Sequence, residues 1–280
     1  MKKILLIVVT VLFVLFIFFF WGGSVFTKIS IENKIEELRD STNFKSKELF
    51  TYQSLEDQPI LTQSFFKKVL PDNIYKPNFV TIKQTAEIKT DVHSDWIPLK
   101  SNQYFTTKKP NYIWNSVMQN SKYFWVNSIE SYTRNKGNML IKLNSSITIG
   151  DSWGIELDKS GLFQYILGAV FFPTTLLPNE NLLWNILDSN TAEIKFTNNE
   201  LSVVAKLFFN EDYTISKIET FDKYRALESG YEKSLYTIYF SDYKNLENGY
   251  LVPKYFELEW DLKDGKFKYG KFTIYDIIYE

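Results

Sequence analysis

From residue 162 to residue 172 the chain reads LFQYILGAVFF, apolar on nearly every side if wound into a helix. A helix with no polar face has to be covered on more than one side. Burying one large aromatic removes about 150–250 Å² from water at about 25 cal/mol per Å², so Phe163, Tyr165, Phe171 and Phe172 all require shelter. Within 151–178, Ser160 is the expected N-cap, and Pro173, which cannot continue the hydrogen-bond ladder, is the expected stop.

The shelter is legible in the flanking residues. In FVTIKQTAEIK, Val80, Ile82, Ala86 and Ile88 alternate with Thr81, Lys83, Thr85, Glu87 and Lys89, the period of a half-buried strand. Similar short runs fall at 96–107, 112–118, 124–131 and 138–149. They resume after the helix at 192–197, 201–210, 214–224, 234–242, 252–261 and 266–279. Asp264-Gly265 marks a hairpin between the last two. About eleven strands in succession, with no crossover helices between them, predict a mainly β (α+β) fold. The expected architecture is a curved antiparallel sheet, an incomplete barrel, enclosing the apolar helix.

The N-terminus sets a second constraint. Lys2 and Lys3 precede residues 4–21, an uncharged run in which Thr10 is the sole polar side chain. As a helix it measures about 27 Å, close to a bilayer's hydrocarbon core of about 30 Å. Trp21 stands where an interfacial aromatic anchors a span, and the lysines mark the short end as cytoplasmic. Residues 1–22 are therefore read as a transmembrane signal anchor, with a signal cleaved near Gly22-Gly23-Ser24 as the alternative. Residues 23–59 form a juxtamembrane stalk, with Ile31, Ile35 and Leu38 at helical spacing. Residues 60–280 form an extracytoplasmic β-rich domain, opened by a short helix over 60–70 that turns Phe65, Phe66 and Val69 inward and ends at Pro71.

Composition excludes several classes of function. A formal net charge of -1 offers no basic face for nucleic acid. With no cysteine there is no disulfide, thiolate zinc site, acylated cysteine or cysteine nucleophile. The one histidine, His93, cannot supply a multi-histidine metal site, and it lies in a polar turn beside Asp91 and Asp95. No cofactor or metal is implied.

Three constellations merit weighing. Gly150-Asp151-Ser152-Trp153-Gly154 matches the G-x-S-x-G nucleophile elbow, but the histidine lies upstream and the parallel sheet of those hydrolases is missing, so a glycine-flanked turn is the ordinary reading. Glu156 and Asp158 precede the apolar run and suit the positive end of its macrodipole. In the functional version Glu156 stands at the mouth of a pocket lined by Trp153, Tyr165 and Phe172. Asp222, Arg225, Asp242, Tyr243 and Tyr269 either converge as a polar cluster at one end of the sheet or form separate cross-strand pairs.

A wider set of motifs supports a resemblance. It includes Val69-Leu70-Pro71, Trp96-Ile97-Pro98, Gln103-Tyr104-Phe105-Thr106-Thr107, Pro110 and Ile113-Trp114. It continues with Glu156-Leu157, Tyr165, Phe172-Pro173-Thr174, Leu176-Leu177-Pro178, Trp184 and Asp222-Lys223-Tyr224-Arg225, then Ser241-Asp242-Tyr243, Gly249, Pro253, Trp260, Tyr269 and Tyr279. Over about residues 60–280 the chain resembles a family of uncharacterised bacterial proteins, single-pass and membrane-anchored, with one domain of unknown function. Phe172 stands where that family usually has Trp, and Gln164 where it commonly has Arg. The strand pattern is also similar to the lipoprotein-localisation-factor architecture, an incomplete barrel closed by helices around an apolar cavity. The resemblance implies no activity.

The leading expectation is a membrane-tethered domain that binds a hydrophobic ligand such as a lipid or acyl chain between sheet and helix. Trp153, Glu156, Tyr165, Phe172, Asp222, Arg225, Tyr243 and Trp260 are its candidate contacts. A cell-envelope interaction module and a hydrolase using Glu156 with the Asp222 set are the alternatives.

Overall fold

A computed structural model describes residues 2–280 apart from 120, 122, 228 and 229, with residues 12–21 described by backbone alone. The chain opens with α1, Lys2–Asp40, followed by β1 (Leu49–Phe50), α2 (Ile60–Val69) and β2 (Ile74–Tyr75). Next comes a meander of β3 (Phe79–Ile88), β4 (Ile97–Thr106), β5 (Asn111–Gln119), β6 (Trp125–Thr133), β7 (Lys136–Leu143) and β8 (Ile147–Trp153). Helix α3, Ile155–Gly168, interrupts it. A second meander follows with β9 (Leu182–Ile186), β10 (Thr191–Asn198), β11 (Leu201–Phe209) and β12 (Ile215–Thr220). The chain closes with the hairpin β13 (Tyr224–Leu227) and β14 (Gly230–Lys233), then β15 (Leu235–Asn245), β16 (Leu251–Leu262) and β17 (Gly265–Tyr279).

Thirteen strands form one antiparallel sheet in the order β8-β7-β6-β5-β4-β3-β17-β16-β15-β12-β11-β10-β9. The last strand, β17, pairs with β3 and so joins the two meanders at the sheet's centre. The sheet is curved and does not close. The expected count of about eleven strands falls short for identifiable reasons. The run 138–149 is two strands, split where Asn144 (φ 49) and Ser145 (φ 55) adopt the left-handed backbone of a tight turn. The five-residue β9 and the small hairpin β13–β14 carry no clear alternation.

The sheet's inner face wraps α3, as the all-round apolar run requires. Leu162, Phe163, Tyr165, Ile166 and Leu167 are all buried. Two boundary expectations change. The helix begins at Ile155 behind Gly154, whose φ of 143 suits glycine, and Ser160 is an interior residue whose Oγ accepts the Tyr224 backbone N–H at 2.9 Å. The helix ends at Gly168, before Pro173, and continues as a 3-10 turn over Ala169–Phe171. Gly168 sits so close to Phe105 that a Cβ there would lie 2.4 Å from the ring.

Helix α2 turns Phe65 onto Trp184 and Phe209 and Phe66 onto Trp184, filling one end of the wrapped space with rings in tilted and edge-to-face contact. The C-terminal half of α1 takes the sheet's other face. Ile31 and Leu38, with Ile35 packed beside them, bury Phe79, Ile113 and Ile129. Arg39 forks onto the Glu280 carboxylate, Arg134 pairs with Glu37, and Lys142 Nζ donates to Thr27 Oγ1 at 2.8 Å. The region read as a stalk is thus helical to Asp40 and lies on the sheet. Among the described residues no helix is long and apolar enough to cross a membrane, and the side chains of 12–21, most of the expected span, lie outside those described.

Candidate functional site

Successive side chains on a strand face opposite sides, so the register fixes which residues meet on the inner face. Ser152 pairs with Met139, Met139 with Glu130, Glu130 with Trp114 and Trp114 with Gln103. This row crosses five strands from β8 to β4. Above it, Leu157, Ser160, Gln164 and Leu167 recur at helical spacing and present one stripe of α3. The hairpin β13–β14 covers the third side. Its base is fixed at three points: Asp222 accepts the Val204 N–H at 2.8 Å, Lys223 pairs with Glu130, and the Tyr224 N–H donates to Ser160.

Between these walls lies a cavity of about 330 Å³. Most of its wall is apolar, with Phe256, Leu258, Trp260 and Phe272 contributed by β16 and β17, and Ile88 and Leu167 beside them. The polar groups that reach it are mostly paired with one another. Glu130 and Lys223 form an ion pair at 2.9 Å with both side chains largely buried. Gln103 donates to Gln84 Oε1 at 3.2 Å and Gln84 donates to Ser101 Oγ at 2.9 Å, leaving Gln103 Oε1 buried without a partner. The hydroxyls of Tyr236 and Tyr269 share a hydrogen bond of 2.9 Å, and Trp260 packs on both rings. Burial drives both tyrosines well above their ordinary pKa, so they stay neutral. Arg225 pairs with Glu232 across the hairpin at 3.3 Å. A cavity walled this way admits an uncharged apolar body and meets it with a small number of hydrogen-bonding groups.

A second recess of similar volume, about 330 Å³, is lined by Glu48, Lys76, Asn78, Lys108 and Thr174. Its charges are already spent on one another, Lys108 on Glu48 at 2.6 Å and Lys76 on Glu48 at 3.5 Å.

The residues singled out from sequence are divided by the structure. Arg225, Trp260 and Tyr269 line the cavity. Tyr165 and Phe172 are core residues packed with Phe105, and the Tyr165 hydroxyl donates to the Thr107 carbonyl. Trp153 is 60% exposed at the end of edge strand β8, and Glu156 lies in the first turn of α3, so these four do not form the expected pocket. Asp222, Tyr243 and Asp242 do not converge. Asp222 holds a β11 amide, the Tyr243 hydroxyl donates to the Ile215 carbonyl at 2.7 Å, and Asp242 pairs with Lys244. Each is spent locally, which leaves the hydrolase constellation dispersed. Ser152 sits in an edge strand, and His93 in an exposed turn whose backbone N–H donates to Asp91.

Glu130, Lys223, Gln84, Gln103, Trp114 and Tyr236 were not singled out as a group. The signal is faint because β6 carries apolar residues on both faces: Ile129 faces outward, and Glu130 shares the inner face with Tyr132. Ile129 is dry because α1 covers that face. Lys223 lies inside the Asp222-Lys223-Tyr224-Arg225 motif, the one place where sequence could have pointed to it.

A family model described as "Family of unknown function (DUF6544)" matches residues 48–272. No protein of curated function matches the chain. Two solved structures are similar at low identity. One is a domain named for outer membrane lipoprotein sorting, from Vibrio parahaemolyticus, with 12% identity and a TM-score of 0.45 over 79% of this chain and 91% of that one. The other is a DUF1329 family protein from Desulfovibrio piger ATCC 29098, with 8% identity and a TM-score of 0.43 over 73% of this chain and 86% of that one. Similarity at this level assigns no activity.

Proposed function

For this chain, which belongs to the DUF6544 family of unknown function, we propose a binding role: its β-rich domain holds one hydrophobic chain, a lipid acyl tail or a molecule like it, beneath α3. The observation that carries this reading is the apolar cavity of about 330 Å³ between the inner face of the sheet and the Leu157–Leu167 stripe of the helix. That volume is at the small end of the range of about 300–1,000 Å³ usual for small-molecule sites, which favours a single chain over a multiply acylated lipid. Wall residues such as Phe272, Leu258 and Trp260 supply the apolar contacts, and the Tyr236–Tyr269 hydroxyls and Gln103 supply a polar end point. In this reading residues 4–21 tether the protein to a membrane with the domain outside the cytoplasm, the orientation favoured by Lys2 and Lys3.

Native mass spectrometry of the full chain, released from mild detergent, tests it. One bound single-chain amphiphile per protein is expected. Gln164→Trp, which puts an indole into the void without removing an apolar core side chain, is expected to abolish the adduct while circular dichroism stays unchanged. A chain that carries no lipid under any extraction, or a Gln164→Trp variant that retains its full complement, contradicts the reading.

A further inference from the structure

The geometry points to a membrane-facing end of the domain: we infer that the end of the sheet carrying the β5–β6 and β7–β8 connections rests on the phospholipid bilayer, with Phe124, Ile147 and Ile149 in the headgroup layer and the cavity toward the membrane. The inference rests on the proposed tether and goes beyond it, because a tether alone leaves the domain free to tumble.

Three observations remove that freedom. First, α1 is continuous from Lys2 to Asp40, so no flexible joint separates residues 4–21 from the part that packs on the sheet. Second, that part is held along its length. Ile31 and Leu38 are buried on the sheet's outer face, Arg39 is forked onto Glu280, and Lys142 reaches back to Thr27. Third, α1 leaves the domain at one place. Gly23 lies so close to the β7–β8 turn that a Cβ added to it would stand 2.8 Å from Ser146 Cβ. The apolar run therefore departs from this turn, and whatever holds that run holds the turn beside it.

The register shows what else lies at that end. Ile88 pairs with Ile97, Gln119 with Trp125 and Leu143 with Ile147, which puts the β3–β4, β5–β6 and β7–β8 connections side by side. Phe124 is 58% exposed there, Ile149 58% and Ile147 38%, apolar side chains beside the place where α1 leaves the domain. The cavity is displaced toward the same end, since Ile88, Ile141 and Tyr269 line it, while α2 and its rings fill the opposite one. An amphiphile leaving the bilayer thus meets the cavity and not the plugged end.

The lack of native cysteine makes the test direct. Full-length Phe124→Cys, Ile149→Cys and Tyr213→Cys variants, each carrying a nitrobenzoxadiazole probe, are reconstituted into phosphatidylethanolamine/phosphatidylglycerol vesicles with spin-labelled lipid. Tyr213 is the reference, since its neighbour Asp212 pairs with Lys68 of α2 at the filled end. Quenching several-fold greater at 124 and 149 than at 213 is expected. Equal quenching at all three, strongest quenching at 213, or release of the chain from the vesicles by alkaline carbonate overturns the inference. Bound lipid is measured on the same preparation. Lipid retained without quenching at 124 and 149 retires the orientation alone, and quenching without bound lipid retires the binding reading alone.

Discussion

Lys223 and Glu130 meet at 2.9 Å with side chains only 13% and 12% exposed, one from the base of the hairpin and one from the sheet floor. Taking two charges out of water is costly, and their attraction offsets that cost only while both are present. Lys223→Met should therefore destabilise the domain by about 3 kcal/mol, the lower part of the range for breaking a buried pair, because it strands the Glu130 carboxylate. Adding Glu130→Met should recover most of the loss, since a buried pair exchanged for apolar groups is often close to neutral. Urea denaturation of the three proteins checks this. Additive losses in the double variant would show that the pair is not coupled. In sequence Lys223 was one member of a four-residue motif and Glu130 an unremarked strand residue. Their partnership was illegible because 93 positions separate them and only the fold brings the hairpin over β6.

At the scale of the element, α3 is seated by what its neighbours lack. At Gly137 in β7 an added Cβ would lie 2.1 Å from the Leu157 carbonyl oxygen, a backbone atom that cannot rotate aside. At Gly150 in β8 the same addition meets only Ile141 side-chain carbons at 3.6 Å, an ordinary contact. Gly137→Ala should cost about 2–3 kcal/mol by overpacking the junction of helix and sheet, and Gly150→Ala should be near neutral. Thermal unfolding followed by circular dichroism separates the two; equal melting temperatures would mean that α3 is not pressed onto β7 as described. The existence of α3 and the need to wrap it were readable from residues 162–172 because an apolar helix has few solutions. Its start was not. Ser160 has the chemistry of a cap, yet Gly154, six residues earlier, provides the turn, and Ser160 serves the hairpin instead. The strand period showed the sheet wherever one face is wet. It also marked β6, within 124–131, but not which of its faces turns inward, because α1 dries the outer face over Ile129 while Glu130 lies on the inner one.

At the scale of the molecule, one sheet is used on both faces. Its inner face wraps α3 and the cavity, its outer face carries the second half of α1, and β17 pairing with β3 joins the first meander to the second. The resemblance to a family with one domain of unknown function was legible in the motifs and agrees with the family match over 48–272. The candidate site was legible only at Arg225, Trp260 and Tyr269, because a pocket formed by β3–β8, β15–β17, a helix and a hairpin depends on long-range register. Trp114 and Trp260, two of the chain's seven tryptophans, line that cavity, which gives the central claim its own reporter. The measurement is quenching of intrinsic tryptophan fluorescence by a dibrominated fatty acid titrated into the full chain. Saturable quenching at one equivalent, lost when Trp114 and Trp260 are both replaced by Phe, is the predicted result. Absence of saturable quenching, or quenching that persists undiminished in the double variant, would contradict a chain-binding site beneath α3.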